Sequence, residues 1–251
     1  MSTTLARTFI DRHVPGQPLI LYNIWDAGTA RAATQAGAQA IATGSHSVAE
    51  AQGYADGQDI PLTFLLDISR RIVASTPLPV SIDFEGGFAT DNPTLATNIQ
   101  QVIDTGAVGI NFEDQVVGGD GLYTTSVQAD RIATVRDTAA GTDWFINART
   151  DVFLQSDASN HAGLVDVAIA RGLAYAAAGA NGFFIPGIQD TALIRTICQA
   201  VPIPVNVMWK QGSPPVAVLA NAGVARVSHG PGPYVAAMQA FEQAAVAAMT
   251  T

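Results

Sequence analysis

Short runs rich in β-branched and aromatic residues recur eight times along this chain, at 19–23, 40–43, 78–84, 108–112, 144–148, 182–186, 203–208 and 225–228. Alanine-rich segments with apolar residues at helical spacing separate them, as in TARAATQAG and VDVAIARGLAYAAAG. Strand then helix, repeated eight times, predicts a closed α/β fold, a (β/α)8 barrel of the TIM type. Gly37, Gly106, Gly179 and Gly223 each close a helical segment just before a strand, the position of a helix C-cap. No stretch of Pro, Ser or like charges divides the chain, so residues 1–251 are expected to form one domain.

Hydrophobic residues make up 48% of the chain and charged ones 13%, enough to bury a sizeable core and too little charge for widespread disorder. A formal net charge of −9 argues against a phosphate backbone as partner, so no nucleic acid is expected. No window reaches membrane-spanning length and the first residues lack the apolar core of a signal peptide, so the expectation is a cytoplasmic protein without membrane contact. The single cysteine, Cys198, lies in a helical stretch and reads as a packing residue.

Two segments depart from the even rhythm. Over residues 45–62 the chain spends more length than a βα loop needs, which predicts an insertion at the barrel rim. Residues 232–250 predict a final helix whose apolar face must be covered by its own barrel or by a second copy, so a homo-oligomer, dimer or tetramer, is expected.

Strand ends carry the chemistry in such a barrel, because all of them meet at one rim. Three runs end in charge: VSIDFE, INFED and INARTD. Asp83 and Glu85 are two apart and are expected on one side of their strand end, with Glu113 entering from the next strand. Three carboxylates in a small volume repel one another unless a cation is present, and hard oxygen donors favour Mg2+, with Mn2+ as a substitute. Asp114 is expected to point elsewhere. Arg149 presents a planar fork suited to a carboxylate; a salt bridge to Asp151 or Glu113 is the structural alternative.

The second run leaves through TGSHS, where Gly44 lets backbone amides approach a ligand and His46 is a candidate proton donor on a loop. Asp56 lies in the insertion, where its carboxylate can close over the rim. The glycines of VVGGDGLYTTS predict a flexible stretch after the fourth strand, as in a lid.

With these residues in place the chain resembles the isocitrate lyase and phosphoenolpyruvate mutase superfamily. The likeness rests on YNIWDAGTARAATQAGAQAIATGS, GSHSVAEAQGYAD, SIDFEGGF, GINFEDQ, INARTDVF, ANGFFIPG, PVNVM and ARVSHGPGPY. It implies a (β/α) barrel whose last helix is often exchanged between subunits, and a magnesium site serving 2-oxo or 2-hydroxy carboxylates. By the resemblance, Asp83, Glu85 and Glu113 match the acids that support magnesium, often through water, and Arg149 matches the arginine at the substrate. Gly44, Ser45 and His46 match the loop whose backbone receives the carboxylate, and Asp56 the gating aspartate. The family's lyases carry Lys-Lys-Cys-Gly-His after the fourth strand, where this chain has QVVGGDGLYTT, and the lysine and asparagine of phosphonate-handling members are also missing there. The resemblance implies an enzyme that cleaves a C–C bond of a small carboxylate through an enolate-like intermediate, as lyases or decarboxylases do. The alternatives are a C–C or C–P hydrolase, a mutase-like enzyme, and a non-catalytic oxo-acid binder.

Overall fold

The computed structural model describes residues 3–250. Eight parallel strands form its centre: β1 (Leu19–Leu21), β2 (Ile41–Ala42), β3 (Val80–Asp83), β4 (Gly109–Glu113), β5 (Phe145–Arg149), β6 (Gly182–Phe184), β7 (Val205–Met208) and β8 (Arg226–Ser228). Each expected run holds a strand, and in the order β1-β8-β7-β6-β5-β4-β3-β2 only the seam between β1 and β2 lacks a regular ladder. That seam closes just beyond the strands. Ile24 and Thr43 form a parallel bridge, and Asn23 donates to the Thr43 carbonyl at 2.8 Å while its Oδ1 accepts the amides of His229 and Gly230, each at 2.9 Å. One buried side chain thus joins three strand ends.

The helices are α1 (Thr3–Asp11), α2 (Ala27–Gln35), α3 (Ser45–Ala51), α4 (Leu62–Ala74), α5 (Asn92–Ile103), α6 (Thr125–Thr138), α7 (His161–Ala177), α8 (Thr191–Ala200), α9 (Val216–Asn221) and α10 (Gly232–Met249). Asp26, Asp91, Thr124 and Asp190 accept backbone amides at four helix starts. Gly37, Gly106, Gly179 and Gly223 take φ between +89° and +100°, which only glycine adopts without strain and which turns the chain from helix to strand. The larger core lies between strands and helices, around Ile82, Phe112, Ile146 and Ile185.

A second cluster plugs the N-terminal end of the barrel, where Phe9 of α1 meets Leu19, Leu21 and Phe145. His13 belongs to this plug: its Nδ1 lies 2.7 Å from the Phe9 carbonyl and its ring stacks on Phe145 at 4.1 Å. Burial, helped by the charge of Arg226, lowers its pKa to about 3. The folded state therefore refuses a proton that the unfolded chain takes up near 6.5, and this contribution to stability is complete above that pH and is lost as pH falls towards 3. The expected loss is of order 5 kcal/mol. Urea titrations across this range should show that wild type loses more stability than His13→Phe on acidification; equal slopes would contradict the assignment.

The segment read as a rim insertion is partly regular. Residues 45–51 are helical, so His46 sits in the first turn of α3 and not on a loop, and the irregular part shrinks to the stretch between α3 and α4. The segment read as a flexible lid is a small hairpin. Gln115 and Leu122 pair, the Val116 amide donates to Gly121, and the Tyr123 amide donates to Asp114.

Candidate functional site

Inward positions on the strands alternate, and this period stacks polar groups beneath the C-terminal mouth. Asp83, Asn111 and Asn147 are in register across β3, β4 and β5, and Glu113 pairs with Arg149 one step higher. In most barrels of this type branched apolar residues fill the lumen. Here Asn111, Asn147, Asn206, Arg226 and Ser228 are all buried within it.

Three elements hold Asp83. Its amide donates to Thr43 Oγ1 at 2.8 Å, its Oδ2 accepts the Ser45 amide at 2.9 Å, and its Oδ1 accepts Asn111 Nδ2 at 3.3 Å. Glu85 lies beyond the strand with φ of +48°, so the simple alternation that would set it beside Asp83 is broken. Its Oε2 instead accepts the Gln58 amide at 2.9 Å, which ties the insertion to the mouth. Burial first, then the charges of Asp83 and Asp56, push the Glu85 carboxyl up to about 8.

Arg149 lies between two carboxylates. Its Nε and Nη2 reach Asp151 at 2.6 and 2.8 Å, and its Nη1 reaches Glu113 at 2.9 Å. Both structural alternatives read from the sequence are therefore present at once, and the guanidinium still has donors to spare for a ligand. Burial alone would lower its pKa, but Glu113 and Asp151 outweigh this and hold it above the usual arginine range. Burial pushes the Glu113 carboxyl upward, with Arg149 acting against it. Asp114 points away, as expected: its Oδ1 accepts the Asp151 amide at 3.0 Å, and its Oδ2 accepts Arg171 at 2.9 Å and Tyr175 at 2.8 Å.

A cavity of about 190 Å³ opens at this mouth, lined by Asn23, Gly44, Ser45, His46, Asp56, Asp83 and Arg149, with Leu154, Phe184 and Met208 as its apolar wall. His46 lies 3.9 Å from Asp56 and 3.8 Å from Glu50 at the half-open edge. The Ser45 amide is occupied by Asp83, and that of Gly44 by the Ile24 carbonyl at 3.2 Å. The amides expected to receive an anion are thus engaged within the protein. The next two of the first turn of α3, at His46 and Ser47, have no intrahelical acceptor by their position.

Among the described residues, no three His, Cys, Asp or Glu side chains come together closely enough to hold a metal ion directly. Asp83, Glu85 and Glu113 lie near enough to repel one another, but Glu85 turns to Gln58 and Glu113 to Arg149, and of the three only Asp83 lines the cavity. The donor set nevertheless fits Mg2+. Every donor is a hard oxygen, magnesium keeps several waters and needs only one or two carboxylates, and the repulsion that raises Glu85 is what a cation relieves. Asn111, Asn147 and Arg226 do not stand out in the sequence. For the two asparagines the signal was there, since each stands two residues before the charged strand end and so faces the same way.

Residues 9–249 match the family described as phosphoenolpyruvate phosphomutase. The solved structure of a putative phosphonomutase from Burkholderia cenocepacia is 44% identical and superposes with a TM-score of 0.95, covering 99% of both chains. An uncharacterized protein of Mycobacterium tuberculosis is 32% identical over 95% of this chain and 87% of its own length. The 2-methylisocitrate lyase of Escherichia coli is 30% identical over 75% of this chain and 64% of its own length. Family matches of this extent, on a barrel with charged strand ends at one mouth, place the chain in the phosphoenolpyruvate mutase/isocitrate lyase superfamily.

Proposed function

We propose that this chain is a Mg2+-dependent enzyme that cleaves a carbon–carbon bond of a small 2-oxo or 2-hydroxy carboxylate. The observation that carries this reading is the small cavity with Asp83 and Arg149 in its lining and an apolar wall beside them. Its volume suits an acid of a few carbons. Arg149 offers its unused donors to the carboxylate, and the His46 and Ser47 amides add partial positive charge at the start of α3. Asp83 would hold the ion, and Glu85 and Glu113 would add negative charge beside it. When bound, Mg2+ supplies Lewis-acid charge that stabilises negative charge developing on a substrate oxygen. Leu154, Phe184 and Met208 keep water from the scissile bond, which strengthens each of these interactions. Asp56 and His46, facing each other at the edge, pass a proton between substrate and solvent.

A panel of 2-oxo and 2-hydroxy acids incubated with enzyme and Mg2+, followed by mass spectrometry, tests the reading. Two smaller products from one acid support it. Solvent oxygen in a product indicates a hydrolase, and tight binding with no product indicates an oxo-acid binder.

The assembly follows from α10. Phe241 is 71% and Met249 86% exposed, and Val235, Met238 and Val246 are also open, while Ile20 and Tyr22 of the β1 segment face outwards uncovered. Single exposed apolar residues are ordinary, but a helix and a strand face left bare together call for a partner. We infer that α10 packs on a second copy, giving a homo-oligomer. Sedimentation at micromolar concentration should return a dimer or tetramer that Phe241→Glu weakens; a wild-type monomer would remove the inference.

A further inference from the structure

Arg226 is fully buried in the barrel lumen and has no ion-pair partner among the described residues. Its Nη2 donates to Asn111 Oδ1 at 3.0 Å and its Nε to Ser228 Oγ at 3.2 Å, while Nη1 has no partner. A buried, unpaired cation costs stability, so stability does not account for its presence. What it does determine is direction. Asn111 Oδ1 also accepts Asn147 Nδ2 at 2.8 Å, and Asn111 Nδ2 faces Asp83 Oδ1 at 3.3 Å. Two amides in contact are ambiguous, because each can turn over and exchange donor for acceptor. A guanidinium only donates and an ionised carboxylate only accepts, so Arg226 and Asp83 set the Asn111 amide from its two ends, oxygen towards Arg226 and NH2 towards Asp83.

We infer that Arg226 is a positioning residue, locking the Asn111 amide so that it holds the Asp83 carboxylate in the orientation a divalent cation needs. The assignment of Asp83 to a cation rests on the function proposed above; the orientation of Asn111 does not. Arg226 does not line the cavity. Without Arg226, the Asn111 oxygen keeps only the Asn147 amide, and the long 3.3 Å contact to Asp83 is left to hold the other end, so the amide can tilt away and release the carboxylate.

Charge and position make opposite predictions. Removing a positive charge beneath an acidic site should tighten cation binding if charge is all that Arg226 contributes, whereas loss of orientation should weaken it. The test is calorimetry with Mn2+ on wild type, Arg226→Met, Asn111→Ala and the double variant, beside nuclear magnetic resonance of the Asn111 side-chain amide and circular dichroism for folding. Arg226→Met is expected to bind Mn2+ ~10- to 100-fold more weakly, as loss of an outer-shell partner does, and to shift and deprotect the Asn111 NH2 resonances. In the Asn111→Ala background the same change should add little. Unchanged or tighter Mn2+ binding with an unmoved Asn111 amide in a folded Arg226→Met protein would overturn the proposal. If wild type binds no Mn2+, the metal reading falls, and the amide resonances alone decide the positioning role. Should Arg226→Met not fold, Arg226→Lys is read in its place, since lysine keeps the charge but cannot serve both Asn111 and Ser228.

Discussion

Replacing Arg149 by alanine is expected to damage fold and activity together. The side chain separates Glu113 from Asp151, both buried, and its removal leaves two carboxylates facing each other with no counter-charge. Breaking a buried pair in this way typically costs about 3–5 kcal/mol, because the charge left behind is uncompensated. Turnover should fall by about a hundredfold or more, the usual effect of removing one charged donor from a reacting site. Arg149→Lys should lie between the two, since an ammonium cannot bond both Asp151 oxygens and still reach Glu113. Urea unfolding and steady-state turnover check this; an Arg149→Ala protein as stable as wild type would show that the buried pairs contribute nothing.

Asp83→Ala should separate what Arg149→Ala combines. It orphans the Ser45 amide and Asn111 Nδ2, but it also removes a negative charge that burdens Glu85. These effects on stability oppose each other, so the unfolding midpoint should move little. Metal binding and turnover should fall by about a hundredfold or more, because Asp83 is the carboxylate best placed to reach an ion in the cavity. Calorimetry with Mg2+, turnover and urea unfolding on the same preparation make the comparison. Turnover within a few-fold of wild type would rule out this role.

Much of this architecture was legible in the sequence because barrel strands and helix caps carry local signals. Gly37, Gly106, Gly179 and Gly223 mark helix ends by a backbone requirement that one residue states alone. Asp83, Glu113 and Arg149 stand out as charges ending apolar runs. Glu85 was harder: spacing alone puts it beside Asp83, and only its left-handed backbone, inside the turn that the Gly87 amide closes on the Phe84 carbonyl, sends it to Gln58. The hairpin at 115–122 was also concealed, because the glycines that permit flexibility equally permit tight turns. Arg226 was the least legible. A charged residue at the start of the last strand reads as an interruption, and its partner Asn111 becomes meaningful only once the barrel has closed and brought β4 opposite β8.

The proposed function requires one small acid and one divalent ion to be held together by Asp83 and Arg149 at the same mouth. Calorimetric titration of oxalate into wild-type protein, with Mg2+ and then with excess EDTA, addresses this most directly. Binding should appear with Mg2+, vanish with EDTA, and be absent from both Asp83→Ala and Arg149→Ala. Oxalate binding of equal affinity without divalent metal, or its survival in Asp83→Ala, would contradict the account.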